Sequence, residues 1–416
     1  MKLFPRVTPL DKKISFKLNL INPNNIKNIE SINIFSKNDY FHNEKIKFEI
    51  QKQDIVFEYK MQTYGEYILK VNFNYKESKS INLFAVEKKI LELTALKGDL
   101  HMHTTYSDGK RTPMAMILES LEFGMDFISI TDHDNYKGSK EAIKKKDENK
   151  IDITILPGEE VSVGKGDTSF SKGNGHMLSI NTDCSIDELR DDEEIYKCEL
   201  EEIENKIKGK IAKDINPKHY ARNLWTIKKI QENNGLAILC HPHWIYYDQK
   251  YHLHQAIYKE LLEKSTVDAV EVFGDIDQIE ECNNLTYLNY YQYKQKHIAA
   301  LGNSDAHDIK VGIGDRFSII YSKTKKETDI VGAIKGLLSV AIFKRSNNEY
   351  QAVGDEKLVS YTLFLLKEYY PTHDKFKSKE ARLIVDGLIN KEDFSHKIDI
   401  VKSKLLRYRK NFFYKG

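Results

Sequence analysis

Residues Asp99 to Asp108 read DLHMHTTYSD, and the rest of the chain is organised around this stretch. His101 and His103 stand two positions apart behind an apolar residue, and in an extended strand that spacing sets both imidazoles on one face. Two neutral nitrogen donors on one face make half of a metal site. A His-x-His pair also arises by accident on protein surfaces, so the stretch alone leaves metal binding open. The test is whether the chain returns with further ligands.

The frame around it is large and balanced. At 416 residues the chain has room for two or three domains with buried cores. Its 64 basic and 62 acidic residues leave a net charge of +2, which excludes the global field of a dedicated nucleic-acid coat or membrane-surface binder while allowing local patches. The four cysteines, Cys184, Cys198, Cys240 and Cys282, form neither a Cys-x-x-Cys pair nor an even framework, as expected of a reduced compartment. No apolar run at the N-terminus suits a signal peptide, and none elsewhere suits a membrane span. The expectation is a soluble cytoplasmic protein without a membrane partner.

Before the opening stretch, ISFKLNLI, IKFEI, IVFEYKM, GEYILKVNFNY and SINLFAV alternate apolar and polar residues, the pattern of strands with one wet face. This predicts an all-β, immunoglobulin-like sandwich over residues 1–94. His42 reads as a solvated turn residue. After it, short and nearly continuous apolar runs alternate with helical segments, which predicts a parallel sheet buried on both faces and an α/β barrel of about seven or eight units over residues 95–345. Thr112 followed by Pro113 marks one helix start. The charged stretch Ser185 to Lys213 reads as a solvated helical insertion. Residues 346–416 read as a helical extension, and their last segment, VKSKLLRYRKNFFYKG, holds six basic residues and no acid. Basic residues interleaved with aromatics can follow a phosphate backbone, although a wet helix end explains the same pattern.

Further ligand types appear at one strand end after another. Asp132-His133-Asp134 follows FISIT, Glu159-Glu160 follows ITILPG, His176 opens HMLSI, His241-Pro242-His243 follows LAILC, Glu271 lies in DAVEVFG, and Asp305-Ala306-His307 closes IAALGNS. The C-terminal ends of the strands are the catalytic face of a parallel β/α barrel. Scattered core or surface histidines do not fall this way.

In order, LKGDLHMHTTYSDG, ISITDHDN, LPGEEVS, GHMLSI, AILCHPHW and GNSDAH resemble the successive motifs of the PHP family, named for polymerase and histidinol phosphatase domains. The resemblance covers residues from about 96 to 345 and leaves out both ends of the chain. It implies a distorted (β/α)7 barrel with two or three divalent metal ions (Mn, Zn or Fe), and phosphoester hydrolysis. Carried over by position, the implied metal ligands are His101, His103, Asp108, His133, Glu160, His176, His241, Asp305 and His307. The implied grouping sets His101, His103, Glu160 and Asp305 on one metal, with Glu160 bridging to a second on His176 and His241. Asp108, His133 and His307 then surround a third. Asp108 stands where other members carry aspartate or histidine. Glu160 is preferred to Glu159 because the family pattern is Pro-Gly-x-Glu, and Glu159 then points to the other face.

The chemistry such a set supports does not depend on the name. Paired cations lower the pKa of a shared water and neutralise charge on attacking and leaving oxygens, and mixed His and carboxylate ligation suits manganese, zinc or iron. Asp305 is also a candidate to take the proton from the attacking water. His243 reads either as a substrate contact or proton donor or as a packed histidine, and Arg316 either as a phosphate clamp or as half of a buried salt bridge. Asp132 and Asp134 can orient imidazoles or cap the next helix, and Glu271 reads as a partner standing behind the ligands. Cys240 reads as an inert core residue, and His219, His252, His254, His297, His373 and His396 as residues without partners.

The reading is a metal-dependent phosphoesterase, a phosphatase or nuclease, that hydrolyses phosphomonoesters or phosphodiesters of a phosphorylated small molecule or short oligonucleotide through a metal-activated water. C–N hydrolysis on the same type of centre, and a non-catalytic binding module, are the alternatives.

Overall fold

The computed structural model describes residues 1–165, 173–245, 250–274, 279–293, 297–308, 312–345 and 349–415. Two compact units divide the chain: Met1–Thr94 together with Glu356–Gly416, and Ala95–Asp355.

In the first unit, alternation does what the sequence pattern requires. The strand Lys13–Asn19 buries every second residue and Gly65–Phe73 does the same. A four-stranded sheet runs in the order Lys2–Phe4, Lys13–Asn19, Asp54–Lys60, Glu49–Gln51, and a five-stranded sheet in the order Val7–Pro9, Ser78–Val86, Gly65–Phe73, Ile29–Ser36, Asn43–Lys45. The inward residues of both sheets, among them Phe16, Leu18, Ile32, Ile34, Phe57, Leu69 and Val71, share one core. Each such side chain contributes about 1.5–3 kcal/mol by leaving water. His42 is half-buried, contrary to the solvated reading. Its Nδ1 accepts the Ser36 N–H at 3.1 Å, and its Nε2 is 2.9 Å from the Tyr59 hydroxyl, so it pins the turn between two strands. The helices Glu356–Glu368, Tyr370–Asn390 and Ser395–Phe412 belong to this same unit, with Tyr361 and Phe364 packed on the Phe84 ring at 5.2 and 5.3 Å.

The second unit is a mixed α/β fold with two sheets. One has the order Thr154–Ile155, Phe127–Ile128, Thr94–Asp99, Arg316–Ser322, Ser339–Lys344, Tyr350–Gly354, and the other Gly158–Ser162, His176–Ile180, Leu236–Leu239, Ala269–Phe273, Ala299–Gly302. Ala269–Phe273 and Leu236–Leu239 are buried along their whole length, as strands covered on both faces must be. Leu236–Leu239 and Ala269–Phe273, with a helix between them, pair in parallel.

The sheets are not wholly parallel, which corrects the sequence expectation. His176–Ile180 runs antiparallel to both neighbours, and so does Ser339–Lys344. Neither apolar content nor an intervening helix reveals strand direction: Leu236–Leu239 follows His176–Ile180 after two helices and still pairs with it antiparallel. The strand Tyr350–Gly354 carries this unit to Asp355, so the boundary read at 345 falls inside it; residues 346–348 lie outside the described residues.

Candidate metal centre

Backbone bonds first align the segments that carry the ligands. The strand Thr94–Asp99 leads directly into His101 and His103, and the His103 N–H donates to the Ala306 carbonyl at 3.0 Å. Thr131 N–H donates to Met102 and Asp134 N–H to Glu160, each at 2.9 Å, so parallel pairing continues past the strand ends. Buried Asp99 ties two of these ends together: its Oδ1 accepts the N–H groups of His101 at 3.2 Å and Ser304 at 3.0 Å. Burial pushes its carboxyl up to about 7. The reversal of His176–Ile180 explains why His176 sits at the start of its strand: in an antiparallel neighbour, the start lies beside the others' ends.

Glu160 is the hub. Its Oε1 lies 2.7 Å from His176 Nδ1 and 2.9 Å from His241 Nε2, while its Oε2 lies 3.0, 3.1 and 3.3 Å from His101 Nε2, His103 Nε2 and His133 Nδ1. Asp305 Oδ1 faces the same pair, 3.1 Å from His101 Nε2 and 3.0 Å from His103 Nε2. At the rim, Asp108 Oδ2 is 3.3 Å from His307 Nε2 and 3.7 Å from His133 Nε2, and its Oδ1 is 3.6 Å from His103 Nδ1. Gly109 allows that approach, because a Cβ there would run into the His103 backbone.

The donor atoms fit divalent cations. His176 Nδ1 and Asp305 Oδ1 are buried and, despite these short approaches, make no hydrogen bond among the described residues. His101 Nε2 and His103 Nε2 stand 3.1 Å apart, near the roughly 3.3 Å edge of a tetrahedron of ligands about 2.0–2.1 Å from one cation. Donor atoms gather as His101, His103, Glu160 and Asp305; as His133, Glu160 and His176; as His103, Asp108, His133 and His307; and as His101, Cys240 and His241.

Electrostatics point the same way. Burial opposes ionisation of Glu160, yet the imidazoles of His133, His176 and His101 outweigh it and hold the carboxyl well below its usual range. Burial likewise opposes the charged form of His101, but Asp305, Glu160 and Glu271 carry it well above its ordinary value. Three buried carboxylates thus call for positive charge at one point, and protons on imidazoles or bound cations can meet that demand.

Behind the ligands stands Glu271. Its Oε1 accepts from Asn303 Nδ2 at 2.9 Å and lies 3.1 Å from His101 Nδ1, and its Oε2 accepts the His241 N–H at 2.9 Å. With the proton on Nδ1, the His101 lone pair lies at Nε2, toward Glu160 and Asp305. His241 and Asp305 have φ of +25° and +53°, backbone conformations that non-glycine residues seldom adopt.

The other sequence candidates lie elsewhere. Glu159 turns away: its Oε2 accepts the Ser185 hydroxyl at 2.8 Å and its Oε1 the N–H groups of Ile186 and Asp187. Asp132 holds the loop after His103, accepting from Ser107 Oγ at 2.9 Å and from the Thr104 N–H and hydroxyl, and Asp134 accepts the Ser162 N–H at 2.8 Å. His243 is buried, its Nδ1 2.8 Å from the Thr286 hydroxyl, and it lines a pocket with His241, Trp244, Glu271 and Asn283. Burial pushes its imidazole down to about 4. Arg316 is also buried, with its guanidinium 4.6 Å from the Phe343 ring centroid.

Cys240 is the buried core residue the sequence predicts, its thiol kept protonated by burial together with Glu160, Glu271 and Asp305, and its Sγ also donates to Glu160 Oε1 at 3.5 Å. The place of His252 escaped the sequence reading. His252 is buried with its ring 4.3 Å from that of His176, and Trp244 lies 5.6 Å from His241. His252 arrives on a return segment bridged through Ile245 and Tyr251, a pairing that carries no local sequence signal. His373, also read as lacking partners, is buried with Nδ1 2.9 Å from Asp374 Oδ1.

A mixed α/β unit gathering imidazoles and carboxylates at aligned strand ends defines a class of metal-site proteins. Within it, the PHP domain family matches residues 99–306, half of the chain, and this chain belongs to that family. It is similar to the 5'-3' exoribonuclease Rnm of Salmonella typhimurium, 30% identical over 93 residues that cover 22% of this chain and 30% of the relative. A 5'-3' exoribonuclease of Haemophilus influenzae is 31% identical over 153 residues, covering 34% of this chain and 54% of that one. The match to the Salmonella relative thus spans under a third of that protein's length. Among solved structures, a two-domain protein of Bacteroides vulgatus described as containing a predicted PHP-like metal-dependent phosphoesterase aligns with a TM-score of 0.40 at 16% identity, covering 61% of this chain and 66% of that one. No helix among the described residues is long and apolar enough to cross a membrane.

Proposed function

We propose that this chain is a metal-dependent phosphoesterase acting on phosphodiester bonds of single-stranded nucleic acid, with phosphomonoesters as the simpler substrates of the same centre. The observation that carries the reading is the division of Glu160 between two sets of imidazoles, Oε1 toward His176 and His241, Oε2 toward His101, His103 and His133. In this reading His101, His103, Glu160 and Asp305 would hold one divalent cation, Glu160, His176 and His241 a second, and Asp108, His133 and His307 a third. Manganese, zinc and iron suit these donors. Such cations lower the pKa of water and neutralise phosphoryl charge. The exoribonuclease relatives favour a nucleic-acid strand as substrate.

The chain's own residues do the positioning. Glu271 fixes the His101 tautomer, and Asp305, whose Oδ1 faces His101 and His103, receives the proton of the attacking water at Oδ2. An Asp305→Asn variant that kept its metal and most of its rate would remove that role. His243, held by Thr286, shapes the pocket beside His241, and Arg316 is buried with its guanidinium over the Phe343 ring. We also read the second unit as a distorted (β/α)7 barrel, the N-terminal strands as an immunoglobulin-like sandwich because two sheets share one core, and the compartment as the cytoplasm on the strength of free cysteines.

The test pairs elemental analysis of the purified protein with phosphomonoester, phosphodiester and amide substrates on manganese-loaded enzyme, using His103→Ala as control. Bound transition metal and phosphoester turnover lost in the control are expected. Absence of tightly bound metal, or turnover of amides alone, overturns the reading.

A further inference from the structure

The basic C-terminal segment left unexplained by the centre forms the helix Ser395–Phe412. From Ile400 to Lys415 it carries Lys402, Lys404, Arg407, Arg409, Lys410 and Lys415 and no acidic residue. Val401 and Phe412 are buried on one side, and Lys402 pairs with Glu380 at 3.4 Å. Lys404, Arg407 and Lys410 lie on the exposed side. At 3.6 residues per turn they occupy about a third of the helix circumference, at steps of roughly 4.5 Å along the axis. Among the described residues none of these three cations makes a hydrogen bond, an ion pair or a ring contact.

What sets the three apart is that they share one face of a stretch that holds no acid. Several exposed helical lysines elsewhere have an acid one turn away, as Lys197 has Glu193 at 2.9 Å, Lys228 has Glu232 at 3.6 Å and Lys264 has Glu260 at 2.6 Å. Complementing the helix dipole accounts for cations of the last turn, such as Lys410, but not for Lys404 and Arg407 further back. Neighbouring cations at steps of about 4.5 Å lie within one Debye length of about 8 Å and act on a polyanion together. Val401 and Phe412 turn inward while Ile400 and Leu406 stay 41% and 52% exposed beside the cations, so an anionic lipid surface is the rival occupant that the vesicle arm of the test decides.

We propose that the face bearing Lys404, Arg407 and Lys410 binds the phosphodiester backbone of a single-stranded nucleic acid, which rests on the reading of the centre as a phosphodiesterase. The face lies outside residues 99–306 and supplies strand affinity without sequence readout.

Anisotropy of a labelled single-stranded oligoribonucleotide, titrated with the full chain across a salt series, tests this. The triple variant Lys404→Ala, Arg407→Ala, Lys410→Ala is expected to bind about tenfold more weakly at low salt, with a salt slope smaller by about 2, since each released phosphate contact contributes roughly 0.7. Alanine favours the helix at exposed positions, and a triple variant exchanging Lys and Arg keeps the charge and should bind normally. Turnover of a small phosphodiester by the alanine variant should equal that of the unaltered protein. If neither protein turns over the small ester while strand binding still depends on the three cations, the phosphoesterase reading fails and the binding face stands. Unchanged strand affinity and salt slope in the alanine variant overturn the face. So does equal, cation-dependent binding of polyglutamate or of anionic phospholipid vesicles, which would make it a general polyanion surface.

Discussion

The centre has a buried heart and an open rim, and the two are held in different ways. His101, His103 and Glu160 are fully buried and Asp305 nearly so, whereas the side chains of Asp108, His133 and His307 remain 57%, 29% and 36% exposed. In the heart several ligands are braced from behind: Glu271 holds His101 and the His241 backbone, Asp99 holds the N–H groups of His101 and Ser304, and Cys240 donates to Glu160. At the rim Asp108 has the Ser107 hydroxyl at 3.2 Å and otherwise faces imidazoles and solvent. Preorganisation lowers the cost of gathering like-charged donors, so the heart should bind cations tightly and the rim reversibly.

The sharpest way to break that contrast is Glu160→Gln. An amide cannot present two anionic oxygens to two imidazole sets, and it leaves buried histidines facing a donor. We expect loss of both heart cations by elemental analysis and a fall in kcat/KM of about 10³-fold or more, roughly 4 kcal/mol of transition-state stabilisation. Retention of a full metal complement would show that Glu160 is not the bridge.

Next in size is Glu271→Gln, which touches no reacting atom. The carboxylate accepts from Asn303 and the His241 N–H and faces His101 Nδ1. An amide group can satisfy only some of these, because one of its two heads is a donor. Metal affinity, read by chelator competition, should fall about 10–100-fold, the usual cost of losing a residue that orients a ligand. The rim cation should be unaffected; equal weakening at both places would mean that heart and rim are one cooperative unit.

The same contrast marks what the sequence could disclose. His101 and His103 were legible because strand alternation sets them on one face, and alternation also separates Glu160 from Glu159, whose carboxylate serves the turn at Ser185 to Asp187. Cys240 is a core residue as its apolar run predicts, but its approach to Glu160 depends on a strand distant along the chain. The antiparallel course of His176–Ile180 and the arrival of His252 beside His176 depend on pairing between segments distant along the chain, which no local pattern records. The strand Tyr350–Gly354 escaped for the same reason: its fit is decided by its partner Ser339–Lys344.

The mildest change, Asp108→Ala, asks whether the rim is a separate site. Asp108 is the only carboxylate in the group with His103, His133 and His307. His103 faces both regions, with Nε2 toward Glu160 and Asp305 and Nδ1 toward Asp108 and Ser107. Removing Asp108 should cost one equivalent of metal and about tenfold in kcat/KM while the heart keeps its cations. If rim and heart are independent, the fold-losses in kcat/KM of Asp108→Ala and Glu271→Gln, measured on the same substrate, should multiply in the double variant. A loss smaller than the product would mean that His103 couples them, its two nitrogens sharing one ring and one set of constraints. In that case Asp108, although half in solvent, would belong to the heart's energetics.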